Sequence, residues 1–374
     1  MHGGSTGMNI LISGGGTGGH IFPAIAIAKA LQKLRPDADI LFVGAKGKME
    51  MEKVPQAGFI IKGLWISGFS RSFSISNLLF PLKLMVSSIS AYYILRRFRP
   101  VVVIGVGGFA SGPVMRVASY LKIPIVIQEQ NSYPGVTNRI LAKKASRIFT
   151  AYPNMEAFFP AEKTLLTGNP VRKEIINTEH KRPEAIAYFE LKEKVTTILV
   201  IGGSQGALSI NEAVKTCLSL RHTQWMWQTG RIYFEKAFAF INENHLENVK
   251  TRAFIERMDL AYAAADIIIS RAGAIAISEL CIIGKPTILV PYPYAAANHQ
   301  MHNARRLEAA GAAIIIKDDE LPLALPFTLE KLLDDTHWQE NLSTQIRKWS
   351  IPDADERIAR EIIQMVENSK PAKP

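Results

Sequence analysis

The sequence predicts an α/β protein with two doubly wound domains that face each other across a cleft. Four apolar segments each run into a loop of glycine and other small residues, and a helix-like segment follows each loop. Strands that alternate with helices in this way form parallel sheets with crossover helices. Two of the loops fall in each half of the 374 residues, a length that suits about two domains of roughly 100–200 residues.

The first loop follows the strand-like segment NILIS and precedes a helix, which is predicted by the spacing of Ile21, Ile25, Ala28 and Leu31. Pro23 is expected in the first turn of this helix, where its missing N–H is tolerated. Glycine lets the backbone pass close to a ligand, and a helix N-terminus offers unpaired N–H groups. The loop therefore predicts an anion-binding site.

Gly14, Gly16 and Gly19 also match the dinucleotide fingerprint G-x-G-x-x-G, which raises an NAD-dependent oxidoreductase as an alternative. That fingerprint requires an acidic residue at the end of the second strand, where it holds a ribose. Here the second strand-like segment ends at Gly44 without an acid. The pattern argues against NAD, and an absorbance assay with NADH would test the alternative.

Three further loops repeat the pattern, in VVVIGVGGFASGP (101–113), TTILVIGGSQGALSINEAV (196–214) and ADIIISRAGAIAISELCIIGKPTILVP (265–291). A single glycine turn can be a tight connection and nothing more. Four of them after apolar strands favour ligand binding beyond the carboxyl ends of the strands.

The domain boundary is predicted within TGNPVRKEIINTEHKRPEA (167–185). We expect an N-terminal domain of residues 1–172 and a C-terminal domain of residues 173–351. A last amphipathic helix, at about 352–369, is expected to join the N-terminal domain, and its apolar face consists of Ile358, Ile362, Met365 and Val366.

Composition narrows the function classes. The net charge of +11 favours anionic partners, and no nucleic-acid-binding motif accompanies it. Cys217 and Cys281 show neither disulfide nor metal-type spacing, so we expect a reducing cytoplasm. The best transmembrane candidate, residues 78–95, contains Pro81, Lys83 and three serines, which argues against a spanning helix.

Four polar side chains are candidates for a site. His20 lies beside a helix N-terminus, which favours the neutral imidazole of a base, although a structural role is also open. Glu279 lies in an apolar helix and requires a partner, either a ribose diol or an arginine. Arg172 either meets a phosphate or lies on the surface, and Gln300 either faces a sugar or begins an ordinary polar helix.

Seven motifs, in order along residues 9–311, resemble those of the MurG family of bacterial peptidoglycan glycosyltransferases: GGGTGGHIFPAIAIAKAL, GVGGFASGPV, EQNSYPGVTNR, TGNPVR, IGGSQGA, SRAGAIAISEL and NHQMHNA. The resemblance implies a GT-B fold of two Rossmann-like domains. It implies transfer of N-acetylglucosamine from UDP-GlcNAc, with inversion, to the C4 hydroxyl of lipid I (undecaprenyl-pyrophosphoryl-MurNAc-pentapeptide), giving lipid II. Because no Asp-x-Asp motif lies in these loops, we expect neither a metal nor another cofactor.

His20, from its place beside the glycine loop, is the predicted catalytic residue, either as a base or by positioning the acceptor. The resemblance assigns the binding residues. The implied contacts to the donor are Thr17, Gly18, Gly19, Asn131, Arg172, Ser204, Ile255, Ala274, Ile275, Ala276, Ile277, Ser278, Glu279 and Gln300. The implied contacts to the acceptor pyrophosphate are Gly15, Gly16, Gly107, Gly108 and Ser111. Gln128 and Phe109 stand where some relatives have histidine and tyrosine, and both lie on the acceptor side.

An apolar stripe near residues 78–95 suits the headgroup interface of an anionic membrane. The resemblance implies a peripheral protein at the cytoplasmic face of the inner membrane, with this segment as its apolar patch. The stripe consists of Leu78, Leu82, Met85 and Ile89, with Lys83 beside it and Arg96, Arg97 and Arg99 after it. The alternative is that the stripe packs into the core of the N-terminal domain.

Within the same fold, the main alternatives are another glycosyltransferase and a UDP-GlcNAc 2-epimerase, and an epimerase needs no lipid site. Release of N-acetylmannosamine from UDP-GlcNAc without an acceptor would favour it.

Overall fold

The computed structural model describes residues 8–68, 79–203 and 205–369. The chain divides into two compact units, with the divisions between Val171 and Arg172 and between Pro352 and Asp353. The last part of the chain belongs to the first unit. Each unit is described separately below.

Each unit contains one parallel sheet, so the predicted doubly wound α/β class is confirmed. The first sheet has seven strands in the order β3-β2-β1-β4-β5-β6-β7. Its strands are β1 Asn9–Ser13, β2 Asp39–Ala45, β3 Ile60–Leu64, β4 Val102–Gly105, β5 Ile125–Glu129, β6 Arg147–Thr150 and β7 Thr164–Leu166.

The second sheet has six strands in the order β10-β9-β8-β11-β12-β13. They are β8 Thr196–Ile201, β9 Thr223–Gln228, β10 Val249–Arg252, β11 Ile267–Arg271, β12 Thr287–Val290 and β13 Ile314–Ile315. In both sheets the strand order reverses beside the first strand, between β1 and β4 and between β8 and β11. Ligands of open α/β sheets bind at such a switch point.

The helices of the first unit connect and cover its sheet. They are α1 Gly18–Leu34, α2 Glu50–Gln56, α3 Phe80–Phe98, α4 Ser111–Tyr120, α5 Val136–Leu141 and, at the end of the chain, α14 Ala354–Asn368. Ile358, Ile362 and Val366 of α14 are buried in the same core as Ile21 and Leu31 of α1.

The helices of the second unit are α6 Arg182–Tyr188, α7 Leu208–Lys215, α8 Phe234–Glu243, α9 Met258–Ala264, α10 Ala274–Ile283, α11 His299–Ala309, α12 Leu321–Asp334 and α13 Thr336–Arg347. Two tryptophans of β9 are fully buried in its core, and each indole N–H has a partner. Trp225 donates to Thr223 Oγ1 at 3.1 Å and Trp227 to Asn211 Oδ1 at 3.0 Å.

Pro23 does not lie in the first turn of α1, as the sequence predicted. The helix begins at Gly18 because the two glycines before His20 are already helical, so Pro23 falls in the second turn. A proline there cannot bond the carbonyl four residues earlier, which belongs to Gly19. Gly19 is exposed, so water can satisfy that carbonyl.

Helix α3 is amphipathic. The buried residues of this helix are two small ones, Ser87 and Ala91, and one larger apolar one, Leu95. In the described part of the chain, no helix is both long enough and apolar enough to cross a membrane.

Candidate functional site

The two glycine loops of the first unit touch each other at the carboxyl ends of β1 and β4. Gly15 N–H donates to the carbonyl of Gly107 at 3.2 Å. Gly107 and Gly108 both have positive φ, 92° and 86°. A Cβ on Gly108 would lie 2.0 Å from the carbonyl oxygen of Gly15, so no larger residue fits there. The structure therefore brings together four of the predicted acceptor residues, namely Gly15, Gly16, Gly107 and Gly108.

His20 lies where these loops meet. Its Nδ1 is 3.1 Å from Thr17 Oγ1. Its ring packs on Gly107, where a Cβ would lie 2.7 Å from His20 Cδ2 and 2.9 Å from Nε2. The ring is half-buried, while Thr17 and Gly19 beside it are exposed. Both loops thus fix the orientation of the imidazole at the edge of the sheet.

The inner part of the first loop is closed by Glu50, a residue that sequence reasoning missed. Its side chain is fully buried and accepts from Gly16 N–H and from Ala45 N–H, both at 3.0 Å. With the Gly15 amide bonded to Gly107, neither Gly15 nor Gly16 has an N–H left for a diphosphate. The expectation that their amides cradle an anion is therefore corrected. In the described residues, the N–H groups of Thr17, Gly18 and Gly19 have no acceptor.

Ser111, the fifth predicted acceptor residue, is directed into the protein. Its hydroxyl is buried and donates to the carbonyl of Gly108 at 2.8 Å. The residue begins α4 and holds the second loop. Phe109, in contrast, is exposed and covers Gly16, where a Cβ would lie 3.5 Å from the ring.

Two further networks follow β5. Gln128 is fully buried and donates to Asn169 Oδ1 at 3.0 Å, while Gln130 donates to the carbonyl of Val106 at 2.8 Å and to Gln128 Oε1. Gln128, which stands where some relatives have histidine, thus helps to link the second loop to the segment after β7 inside the protein. It is not a side chain on the surface.

Glu129 shapes the loop that carries Asn131. It accepts from Asn131 N–H and Gly135 N–H, both at 3.0 Å, and from Asn138 Nδ2 at 2.8 Å. Burial raises the pKa of Glu129, and these hydrogen bonds offset the increase only in part. Asn131, a predicted donor contact, is partly buried beside it, and its side-chain amide also points to Glu129.

In the second unit, the structure brings the predicted residues Arg172 and Glu279 together. Arg172 Nε lies 2.7 Å from Glu279 Oε1, and Tyr262 donates to Glu279 Oε2 at 3.0 Å. The sequence left two possible partners for Glu279, a ribose diol or an arginine. The structure shows an arginine, Arg172. Burial raises its pKa, and Arg172 and Tyr262 counteract that increase. The arginine side chain is 47% exposed, so it can meet a ligand while it pairs with Glu279.

The loop after β8 is linked to the predicted uracil contact by Gln228, another residue that sequence reasoning missed. Gln228 Nε2 donates to the carbonyl of Gly203 at 3.1 Å, and its Oε1 accepts from Ile255 N–H at 2.9 Å. Ile255 itself is buried. Ser204, the predicted donor contact in this loop, lies outside the described residues.

The loop after β11 places the first turn of α10 at the carboxyl end of the sheet. Ala274, Ile275 and Ala276 are partly exposed, whereas Ile277 is buried. The hydroxyl of Ser278 donates to the carbonyl of Ala274 at 3.0 Å and so is turned back along the helix. The open helix N-terminus, rather than all five side chains, faces outward.

Gln300 lies at the start of α11, after a strained loop. Its Oε1 accepts from Tyr292 N–H at 2.9 Å. Ala297 and Asn298, just before it, both have positive φ, 51° and 53°. Such a conformation costs free energy outside glycine and is concentrated at functional sites.

The predicted membrane stripe lies on the exposed face of α3. Leu82, Met85 and Ile89 are 43%, 56% and 51% exposed, so the alternative that they pack into the core is wrong. Tyr93 extends this face, and Arg96 and Arg97 lie exposed beyond it. Lys83 instead donates to Ser67 Oγ at 3.0 Å and lies over the ring of Trp65. Leu78 lies outside the described residues.

Comparison with known proteins identifies the family. The description "Glycosyltransferase family 28 N-terminal domain" matches residues 10–150, and "Glycosyltransferase family 28 C-terminal domain" matches residues 197–358. The chain belongs to glycosyltransferase family 28.

One relative within family 28 comes from Flavobacterium psychrophilum. It is 51% identical over 96% of this chain and 98% of its own length. It is named UDP-N-acetylglucosamine--N-acetylmuramyl-(pentapeptide) pyrophosphoryl-undecaprenol N-acetylglucosamine transferase. The crystal structure of Acinetobacter baumannii MurG is 28% identical, with a TM-score of 0.79 over 96% of this chain and 100% of that one. The GT-B fold of two Rossmann-like units is thereby confirmed.

The fold alone does not separate transferases from epimerases. The UDP-GlcNAc 2-epimerase of Neisseria meningitidis, bound to UDP-GlcNAc, gives a TM-score of 0.67 at 14% identity over 96% of this chain and 100% of that one. The high identity to the named transferases, rather than the shape of the chain, places this family 28 member among them.

Proposed function

We propose that this protein transfers N-acetylglucosamine from UDP-GlcNAc to the C4 hydroxyl of MurNAc in lipid I, with inversion, and so forms lipid II. The observation that carries the proposal is near-full-length identity of 46–51% to curated relatives named for this transfer. The two units would divide the work, with the acceptor on the first and UDP-GlcNAc mainly on the second.

In the proposed reaction the C4 oxygen of the acceptor attacks the anomeric carbon of the donor sugar. The bond from that carbon to the diphosphate oxygen breaks on the opposite face, and UDP leaves with the bonding electrons. His20 would accept the proton of the attacking hydroxyl. Its ring is already oriented by Thr17 and Gly107, which suits a base that must meet one particular oxygen.

The leaving diphosphate requires stabilisation as its negative charge develops. On the second unit, the exposed guanidinium of Arg172 and the first turn of α10 are suited to that task, and on the first unit the unpaired amides of Thr17, Gly18 and Gly19 are suited to an anion. Glu279 would hold Arg172 in place and accept from the ribose hydroxyls with its remaining lone pairs. Because Gln228 occupies the Ile255 N–H, the carbonyl of Ile255 would be the group that meets uracil.

A direct assay tests the proposed function. The full-length protein is incubated with labelled UDP-GlcNAc and a short-chain lipid I analogue, and a labelled disaccharide on the lipid is the expected product. A parallel reaction lacks the acceptor. Release of N-acetylmannosamine in that reaction, with no disaccharide in the first, would favour an epimerase and reject the proposal.

The lipid acceptor stays in the bilayer, so the enzyme is proposed to act at the cytoplasmic face of the inner membrane as a peripheral protein. The exposed apolar face of α3 supports this location, because Leu82, Met85 and Ile89 are followed by the cations Arg96 and Arg97. Apolar side chains next to cations suit the headgroup region of an anionic membrane.

Liposome flotation tests the location. Leu82→Glu with Met85→Glu should abolish binding to anionic vesicles and leave UDP affinity and thermal unfolding nearly unchanged. The matched control is Ile232→Glu with Leu323→Glu, at two exposed apolar residues of the second unit, which should float like the wild type. Equal flotation of the α3 variant and the wild type would move the docking surface elsewhere.

A further inference from the structure

Glu50 lies at a point where the backbone of the first unit is built around one carboxylate. Both of its oxygens are used, one by Gly16 N–H and the other by Ala45 N–H. A Cβ on Gly15 would lie 2.1 Å from Glu50 Oε1, and one on Gly44 would lie 2.5 Å from Glu50 Cγ. Two glycines therefore make room for this side chain. Gly44 ends the second strand, where the dinucleotide fingerprint requires an acidic residue. Because Gly44 has no side chain, the side chain of Glu50 from α2 fits there instead.

A short series of contacts leads from Glu50 to His20. Glu50 holds Gly16, and the adjacent Gly15 N–H holds the carbonyl of Gly107 at 3.2 Å. The Cα of Gly107 supports the His20 ring, and Thr17, the residue after Gly16, lies 3.1 Å from His20 Nδ1. A shift of Gly15 or Gly16 would therefore displace both supports of the imidazole.

Glu50 also limits which N–H groups of the first loop remain for a ligand. The carboxylate takes the place that a ligand phosphate would occupy beside Gly16 N–H. In the described residues, no lysine or arginine pairs with Glu50. The N–H groups of this loop that remain for a ligand are therefore those of Thr17, Gly18 and Gly19.

We propose that Glu50 is a positioning residue for the sugar transfer: it sets the first loop so that His20 meets the acceptor hydroxyl. This inference rests on the proposed function. Glu50 does not itself touch substrate, and it acts through the backbone of Gly15 and Gly16.

Glu50→Gln in the full-length protein is the principal test. The amide has the same shape, but it can accept only one of the two N–H bonds, and its own NH2 group would face the other donor. We expect the turnover number to fall about 10–100-fold, because a displacement of about 1 Å from the productive geometry can cost about 10²-fold in rate. The KM for UDP-GlcNAc and the affinity for UDP should stay within about two-fold, as a change confined to turnover requires.

Glu52→Gln is the matched control, because Glu52 lies on the same helix but is exposed to solvent. It should behave as the wild type. A double-mutant cycle then asks whether Glu50 acts through His20. If it does, His20→Ala combined with Glu50→Gln should lose no more turnover than His20→Ala alone, whereas independent effects would multiply.

Two results would overturn the inference: a folded Glu50→Gln variant with turnover within about two-fold of the wild type, or a loss that multiplies with that of His20→Ala. If Glu50→Gln does not fold, Glu50→Asp replaces it, since it keeps both oxygens and should lose less. Unfolding of both variants would assign Glu50 to the fold alone. Transfer by the wild type and Glu52→Gln upholds the proposed function whatever Glu50 does, while absence of transfer by both rejects that function, and the positioning role with it.

Discussion

Two buried carboxylates of the first unit, Glu50 and Glu129, are held differently from Glu279 and Asp259 of the second unit. In the first unit, Glu50 and Glu129 accept only from backbone and side-chain amides. In the second unit, Glu279 pairs with Arg172, and Asp259 pairs with Lys181 and Arg257. Amides around a carboxylate fix the path of a nearby loop. Arg172 and Lys181 come to their carboxylates from distant segments of the chain, and the exposed Arg172 can also meet a ligand.

The residues that close the first glycine loop of each unit show the same difference. Glu50 accepts from an N–H of its loop, whereas Gln228 donates to the carbonyl of Gly203 in its loop. The acid Glu50 therefore occupies a backbone N–H that could have met an anion. Gln228 bonds to a carbonyl instead, so it leaves the backbone N–H groups of its loop available, and we propose that the N–H groups of that loop serve the nucleotide.

His20→Ala should give the largest effect and separates the two tasks. Loss of a general base typically lowers turnover about 10²–10⁴-fold, and UDP affinity should be unchanged if the nucleotide binds mainly on the second unit. Steady-state kinetics and calorimetry measure the two quantities. His337→Ala, at an exposed histidine, is the control. Near-normal turnover would leave His20 a structural role. A parallel loss of UDP affinity would contradict the proposal that the nucleotide binds mainly on the second unit.

Glu279→Ala should weaken UDP binding without the need for acceptor. A hydrogen bond to a charged group is typically worth about 1.5–3 kcal/mol, so the affinity should fall roughly 10–150-fold. Because Arg172 lies 2.7 Å from Glu279, Arg172→Ala should cause a loss that does not add to it. Calorimetry on the two single variants and the double variant measures the coupling. Unchanged affinity in a folded Glu279→Ala protein would remove the pair from the nucleotide site.

The pH dependence of stability should also differ between the units. Hydrogen bonds from Arg257 and Lys181 hold the pKa of Asp259 well below its usual range, whereas burial raises the pKa of Glu129. The stabilisation by Asp259 is complete above its unfolded pKa of about 4 and is lost as pH falls through the folded value. The contribution of Glu129 has the opposite sign and declines as pH rises above about 4.3 toward its raised pKa.

Asp259→Asn isolates the contribution of the second unit. At pH 7 it should destabilise the protein by about 1.5–3 kcal/mol, because two charged partners lose their carboxylate. The difference in melting temperature from the wild type should shrink as the pH is lowered from 7 to 3. A difference that stays constant over this range would show that the ion pairs do not set the pKa of Asp259.

The sequence was sufficient for the strands, the loops and the helices after them, because these depend on local spacing and on glycine. It left Arg172 and Glu279 as separate candidates, since they are 107 residues apart and only the fold joins them. It predicted an outward-facing stripe on α3 and left packing into the core as the alternative, which the exposure of Leu82, Met85 and Ile89 excludes. Packing on the first unit selects the smaller residues Ser87 and Ala91 for the buried face.

Glu50 and Gln228 were missed although the sequence contains a signal for each. Glu50 lies four residues before Val54, the other buried residue of α2, so the two share the inward face of the helix. Gln228 ends the buried strand TQWMWQ, at the edge where ligands bind. What the spacing cannot supply is the partner, because the N–H of Gly16 lies 34 residues away in the chain.

Ser111→Ala should give the smallest loss of stability. Comparing it with Ser209→Ala tests the difference between the two units at one serine in each. Ser111 donates to the neutral carbonyl of Gly108, whereas Ser209, near the start of α7, interacts with Asp318 and Arg271, which form an ion pair. Loss of a neutral hydrogen bond typically costs about 0.5–1.5 kcal/mol, against about 1.5–3 kcal/mol for one to a charged group. Ser209→Ala should therefore lower the melting temperature more than Ser111→Ala.

Because the Ser111 hydroxyl is buried and already donates, its removal should leave the KM for the lipid acceptor within about two-fold, since only a ligand contact would change substrate binding directly. A larger rise in that KM, with the melting temperature unchanged, would return Ser111 to the acceptor site and show that the second loop opens when the acceptor binds.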